Sequence, residues 1–123
     1  MAKFNSFEEI KSWEKARELN KEIYRITNQN NSFSKDFGLR DQIRKSSISI
    51  SSNIAEGFER GSTKDFLCFL YIAKASAGEF RSQLYLSFDL KYLREEEFKN
   101  LSFRANEVSK LISGLIKYLH STL

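Results

Sequence analysis

The residues best suited to chemistry in this chain are cationic and aromatic. Lys64, Tyr71, Lys74, Arg81 and Tyr85 follow one another at spacings of seven, three, seven and four, which places them along one side of a helix. Cations interleaved with aromatics suit phosphate contacts and base stacking, the two components of sequence-tolerant nucleic-acid binding. Arg40, Arg44, Lys45 and Arg60 add positive charge upstream. The same residues also read as an ordinary solvated surface of mixed charge, because Asp36, Asp41, Glu59 and Asp65 stand nearby and neutralise part of the field. The net charge of +4 permits a nucleic-acid partner without requiring one.

Catalytic chemistry finds little to work with. His120 and Cys68 are the single histidine and the single cysteine, so no His/Cys metal cluster can form. A nucleophile–base pair would need His120, which falls at the end of the last expected helix. Glu56 and Glu79 are placed to face each other across two helices, but di-metal bundles use Glu-x-x-His motifs, absent here. No glycine-rich phosphate loop occurs. The expectation is a non-enzymatic protein without metal or cofactor. Cys68 has no intrachain partner, which favours a reducing compartment, and reads as an inert small hydrophobe. The opening Met1-Ala2-Lys3-Phe4-Asn5 has no long apolar run, and no window reaches the ~20 apolar residues of a membrane span. The expected setting is cytoplasmic, with no membrane partner.

The elements that must position these residues are helices. The 123 residues contain no proline, suffice for a single domain over residues 1–123, and repeat apolar residues at helical spacing without strand alternation. Helix one is predicted from about Phe7 to Asn28, opened by a Ser6/Glu9 capping box and closed by a polar loop, Asn28-Gln29-Asn30-Asn31-Ser32. Helix two runs from about Asp36 to Glu56, with Gly57 in the left-handed position after its C-terminus. Helix three follows a short turn, with Ser62 and Asp65 at N-cap spacing and Phe66, Phe69, Ala73, Ser76, Phe80, Leu84 and Ser87 facing inward. Helix four runs from about Arg94 to His120 with a seam of Phe98, Leu101, Ala105, Val108, Ile112, Leu115 and Leu119. Four helices on short connections pack most simply as an all-α, antiparallel, up-and-down four-helix bundle.

Helices two and three carry more apolar surface than one core uses. Ile48 and Ala55, and Cys68, Ile72, Ala75 and Leu86, lie beside the main stripes, which points to a wide bundle interface or self-association. Gln42, Ser46, Ser49, Asn53 and Glu56 form a polar stripe on helix two. It reads either as a solvated face or as a hydrogen-bonded network at a helix or subunit boundary, and short side chains favour close approach.

These residues together resemble the four-helix proteins encoded in intervening sequences of bacterial 23S ribosomal RNA genes, also called the S23 ribosomal protein family. The resemblance covers nearly the whole chain. It runs from Trp13, Ala16, Leu19, Ile23 and Tyr24 through Phe37-Gly38-Leu39 and Gln42-Ile43-Arg44. Its most specific part is Ser49-Ile50 with Ser52-Asn53-Ile54-Ala55-Glu56-Gly57-Phe58. Ser62, Lys64, Asp65, Phe66, Phe69, Ile72-Ala73, Ser76, Glu79, Gln83 and Leu84 continue it. The family usually has proline at Ser51, often proline at Ser34 and often glycine at Ala75. Ser51 should leave helix two straighter, and the Ala75 methyl should widen a tight crossing slightly. The resemblance implies a four-helix bundle assembled as a homopentameric ring, and gives Gln42, Ser49, Asn53, Glu56, Gly57, Ser76 and Glu79 structural roles. The accessory variability proteins of diversity-generating retroelements look similar in fold and ring assembly. They bind nucleic acid and a reverse transcriptase through a basic surface. The implied function is therefore oligomeric binding of RNA or another nucleic acid. The alternative is a scaffold for a protein partner such as a reverse transcriptase or a ribosome-associated factor.

Overall fold

The computed structural model describes residues 4–123; residues 1–3, the start of the Met1–Asn5 stretch, lie outside the described residues. The described chain is all helical. A 3-10 turn at Phe7–Glu9 leads into α1 (Lys11–Gln29), α2 (Asn31–Lys35), α3 (Phe37–Glu59), α4 (Thr63–Asp89) and α5 (Glu95–Ser121). The four long helices form a helical bundle in which α3 packs on α1 and α4, and α5 packs on α4 and α1. The α1–α3 side therefore lies opposite the α4–α5 side. Leu19 and Ile23, Ile43, Ile50 and Ile54, Phe66, Phe80 and Leu84, and Leu101, Val108 and Ile112 meet in the core with almost no exposure. Each such side chain contributes about 1.5–3 kcal/mol by leaving water. Among the described residues, no helix is long and apolar enough to cross a membrane.

The helix starts differ from the sequence pattern where local chemistry competes. The expected Ser6/Glu9 capping box does not form: Ser6 makes no capping bond, Glu9 instead accepts from the Asn5 N–H at 3.2 Å, and the regular helix begins at Lys11. The run expected as a polar loop contains α2. Asn30 caps it by accepting from the Phe33 N–H at 2.8 Å, and its amide donates to the Tyr92 carbonyl at 3.1 Å. Phe33, fully buried, packs against the Tyr92 ring. Asp36 then caps α3 through the Leu39 N–H while its other oxygen accepts from the Tyr92 hydroxyl at 3.0 Å. That bond raises the Tyr92 pKa above the ordinary phenol value. Two short polar side chains thus clasp the α2 corner onto the α4–α5 connection. Ser62 caps α4 as expected, accepting from the Asp65 N–H. Glu97 accepts from the Arg94 N–H at the start of α5.

Gly57 is not the end of a helix. It lies buried within α3, which continues to Glu59, and the left-handed glycine of the connection is Gly61, at φ 87°. The reason for a glycine at 57 is space: an added Cβ would stand 2.5 Å from Phe69 Cβ and 3.2 Å from the Phe66 ring. Gly78, in the middle of α4, would meet nothing within 4 Å. Gly57→Ala is therefore expected to destabilise the protein by about 1–3 kcal/mol through overpacking, despite alanine's better helix propensity. Gly78→Ala is expected to stabilise it by roughly 0.5–1 kcal/mol. Urea unfolding of both variants checks the pair, and a stabilised Gly57→Ala protein would contradict the close approach.

Candidate nucleic-acid interface

The five residues of the basic-aromatic stripe fall together on one exposed face of α4. Lys64, Tyr71, Lys74, Arg81 and Tyr85 are all exposed. The helix is continuous from Thr63 to Asp89, so their spacing becomes one ridge turned toward α5. Both tyrosines stand on aromatic supports from α5. The Tyr71 hydroxyl lies 3.1 Å from His120 Nε2, and the Tyr85 ring meets Phe98 edge-on at 5.2 Å. Phe98 is itself stacked on Phe88 at 4.7 Å. Tyr71 keeps 51% and Tyr85 60% of its surface exposed. Among the described residues, Lys64, Lys74 and Arg81 enter no ion pair, so their charge remains available to an anion. Gly78 sits between Lys74 and Arg81 on the same ridge, where it leaves a flat place that sequence reasoning did not single out.

The other four cations are placed elsewhere and are partly engaged. Arg40 lies over the Phe37 ring, donates to Asp41 at 2.9 Å, and donates to the Ser34 carbonyl. Arg44 donates from Nε to Thr27 Oγ1 at 2.9 Å and from a terminal nitrogen to Asn28 Oδ1 at 2.8 Å, with its guanidinium 4.4 Å from the Tyr24 ring centre. Lys45 is exposed on the same α1–α3 side. Arg60, at the α3 C-terminus, pairs with Glu56 at 3.2 Å and lies over Phe69. Arg40, Arg44 and Lys45 thus belong to the side opposite the α4 ridge, and the nine candidates do not make one continuous surface.

The polar stripe of α3 is a helix–helix network. Ser49 and Ser76 hydroxyls meet at 2.9 Å across α3 and α4, and Asn53 donates back to the Ser49 carbonyl and hydroxyl. Ser46 donates to Gln83 Oε1 at 2.7 Å. A second network on the α1 side escaped the sequence reading: Asn20 accepts from Ser47 at 2.7 Å and donates to Ser51 at 2.9 Å. An asparagine in the middle of a helix whose other interior residues are mostly apolar or charged was its one signal. Ser51, where the family usually has proline, also donates to the Ile48 carbonyl. Gln42 and Glu56 at the ends of the stripe are exposed. Glu79 is exposed too, and it does not face Glu56. Gly57 lies against Phe66 and Phe69 while Ser46 and Ser49 lie against Gln83 and Ser76, so Glu79 is roughly 15 Å along the bundle from Glu56.

The surplus apolar residues divide as well. Cys68, Ile72, Ala75 and Leu86 form an exposed strip on α4, so Cys68 does not follow the usual burial of a free thiol and the Ala75 methyl meets no tight crossing within the chain. Ile48 lies instead beside Tyr24 and Arg44. Phe103 of α5, 69% exposed beside Lys15 and Glu18 of α1, adds an apolar residue on the α1–α5 side.

A family model described as 23S rRNA-intervening sequence protein matches residues 8–114. A solved structure similar to this one is a protein of unknown function from the S23 ribosomal protein family of Bacteroides thetaiotaomicron VPI-5482. It is 29% identical, with a TM-score of 0.79, covering 86% of this chain and 95% of that one. Among proteins with curated descriptions, none matches.

The α1–α3 network sets a clear expectation. Asn20→Ala removes the partner of buried Ser47 and one partner of Ser51, and should cost about 1–3 kcal/mol. Gln42→Ala, at an exposed position, should change stability by less than about 0.5 kcal/mol. Denaturant midpoints measured side by side test the difference, and equal midpoints would remove Asn20 from the structural account.

Proposed function

The chain belongs to the 23S rRNA-intervening sequence protein family, and from that premise we propose that it is a non-enzymatic, oligomeric protein that binds nucleic acid, RNA in the first place. The observation that carries this reading is the α4 ridge: three cations without ion pairs among the described residues, interleaved with two exposed tyrosines backed by α5. Lys64, Lys74 and Arg81 contact phosphates, and Tyr71 and Tyr85 stack on unpaired bases. Recognition of this kind is weak in sequence preference and steep in salt dependence.

Assembly multiplies the modest charge of one chain. The α3–α4 contacts pair rising residue numbers with falling ones, which supports an antiparallel, up-and-down arrangement of the four long helices. Ile72 is exposed near the α3–α4 side and Phe103 on the opposite, α1–α5 side. Two dissimilar apolar faces on opposite sides suit a head-to-tail contact, which closes as a ring when the rotation allows. We take the pentamer implied by family resemblance as that ring, in a cytoplasmic setting. Five copies of one ridge on a single particle raise avidity well above that of one copy. The large exposed Phe103 also favours a second reading, a scaffold for a protein partner such as a reverse transcriptase or a ribosome-associated factor.

Binding of the intact protein to labelled structured RNA and duplex DNA across a salt series tests the first reading. Affinity should fall steeply as salt rises, and the Lys74→Glu, Arg81→Glu double variant should abolish it. Unchanged affinity in that variant removes the α4 ridge, and a nuclease-resistant protein capture would then favour the scaffold. Light scattering on the Ile72→Asp, Leu86→Asp variant tests assembly: the mass should drop to that of a monomer, and an intact oligomer would place the contact elsewhere.

A further inference from the structure

An open groove of about 460 Å³ runs along the α1–α3 side, lined by Tyr24, Asp41, Arg44, Lys45, Ile48 and Ser49. Arg44 lines it, and the state of that side chain is unusual for a surface arginine. Thr27 and Asn28 hold two of its nitrogens, and the Tyr24 ring lies against its guanidinium. The side chain has therefore given up most of its freedom, and a ligand need not restrict it further. Pinned at its edge and covered on one face by Tyr24, the guanidinium keeps its other face for a ligand, and such a face stacks on flat aromatic groups. Tyr24 and Ile48, each 38% exposed, add apolar surface to the same groove. Lys45 is the one cation of the groove with its head free in solvent, adjacent to the platform and suited to a phosphate. Asp41, held by Arg40 at 2.9 Å, puts a negative charge in the same groove and disfavours a bare anion. The ligand that satisfies all four features is flat and aromatic at one end and anionic at the other.

We propose that this groove binds an unpaired nucleotide, its base stacked on the Arg44–Tyr24 platform beside Ile48 and its phosphate on Lys45. The α4 ridge lies on the opposite side of the bundle, so this is a second, separate contact. It rests on the nucleic-acid reading for the source of the nucleotide but not for the chemistry of the groove.

The test uses mononucleotides and the whole protein. In a nitrogen-15 spectrum, titration with AMP and CMP should shift the Arg44 Nε–Hε signal and the Lys45 and Ile48 amides together and to saturation. Ribose 5-phosphate and inorganic phosphate should leave the Arg44 signal in place. Tyr24→Leu should weaken AMP binding about tenfold, the loss of one stacking partner. Ile48→Asp, at an exposed position, should do the same and serves if the Tyr24 variant folds poorly. The Lys74→Glu, Arg81→Glu protein should bind AMP as the parent does, so the groove and the α4 ridge can fail independently. Equal shifts from AMP and inorganic phosphate would reduce the groove to an adventitious anion contact, and shifts confined to α4 would overturn the assignment.

Discussion

The closeness of α3 to α4 is the constraint on which the rest of the bundle depends. With Gly57 pressed on Phe69 and Ser49 touching Ser76, the two helices meet through backbone and hydroxyls rather than through long side chains. Serine at such a contact is useful only if its hydroxyl is satisfied, since an unpaired buried hydroxyl costs about 1–3 kcal/mol. Asn53 and Gln83 supply that satisfaction at either end of the contact. Because the hydroxyls specify partners as well as filling space, a rotation of α3 would break several bonds together. The network therefore fixes rotation, whereas Ile43, Ile50 and Ile54 supply most of the burial.

Fixing α3 against α4 also fixes what each outer side presents. On α4 the inward stripe and the exposed ridge are different faces of one 27-residue helix. The register that buries Phe66, Phe80 and Leu84 therefore obliges Lys74, Arg81 and Tyr85 to face outward. On α3 the same rotation turns Ser47 and Ser51 to Asn20 and brings Arg44 over Tyr24. Both outer sides are consequences of one packing decision, although they differ in chemistry. One carries three cations without ion pairs among the described residues, the other a guanidinium already bonded beside one exposed lysine, Lys45.

How much of this was legible in the sequence depended on the range of the interactions involved. The long helices were legible because their apolar spacing is a local property, and the Ser62 cap because its partner lies three residues away. The α4 ridge was legible for the same reason: one uninterrupted helix carries all five residues. Gly57 was misplaced because glycine near a helix end has two uses, a left-handed cap or a close approach, and only the distant Phe69 distinguishes them. The α2 corner was hidden because Asn30 and Asp36 look like loop residues until Tyr92, about sixty positions later, takes up their remaining polar atoms. The division of the basic residues between two sides was hidden likewise, since charge in sequence carries no information about which cations are already bonded.

That division bears on how a charged surface works. On the proposed nucleic-acid reading, a free lysine such as Lys74 would contribute by releasing counterions, a contribution that fades with added salt and ignores what the phosphate is attached to. A pinned arginine contributes little of that kind, because Thr27, Asn28 and Tyr24 already hold it. What it retains is a fixed plane, and stacking on a fixed plane is short-ranged, resistant to salt and dependent on the ligand being flat. A protein with only the α4 ridge would attract any polyanion. A protein with both surfaces has a means of separating an unpaired strand from a duplex whose bases are already stacked. Discrimination of that sort needs no base-specific hydrogen bond, only that one cation be immobilised while others are left free.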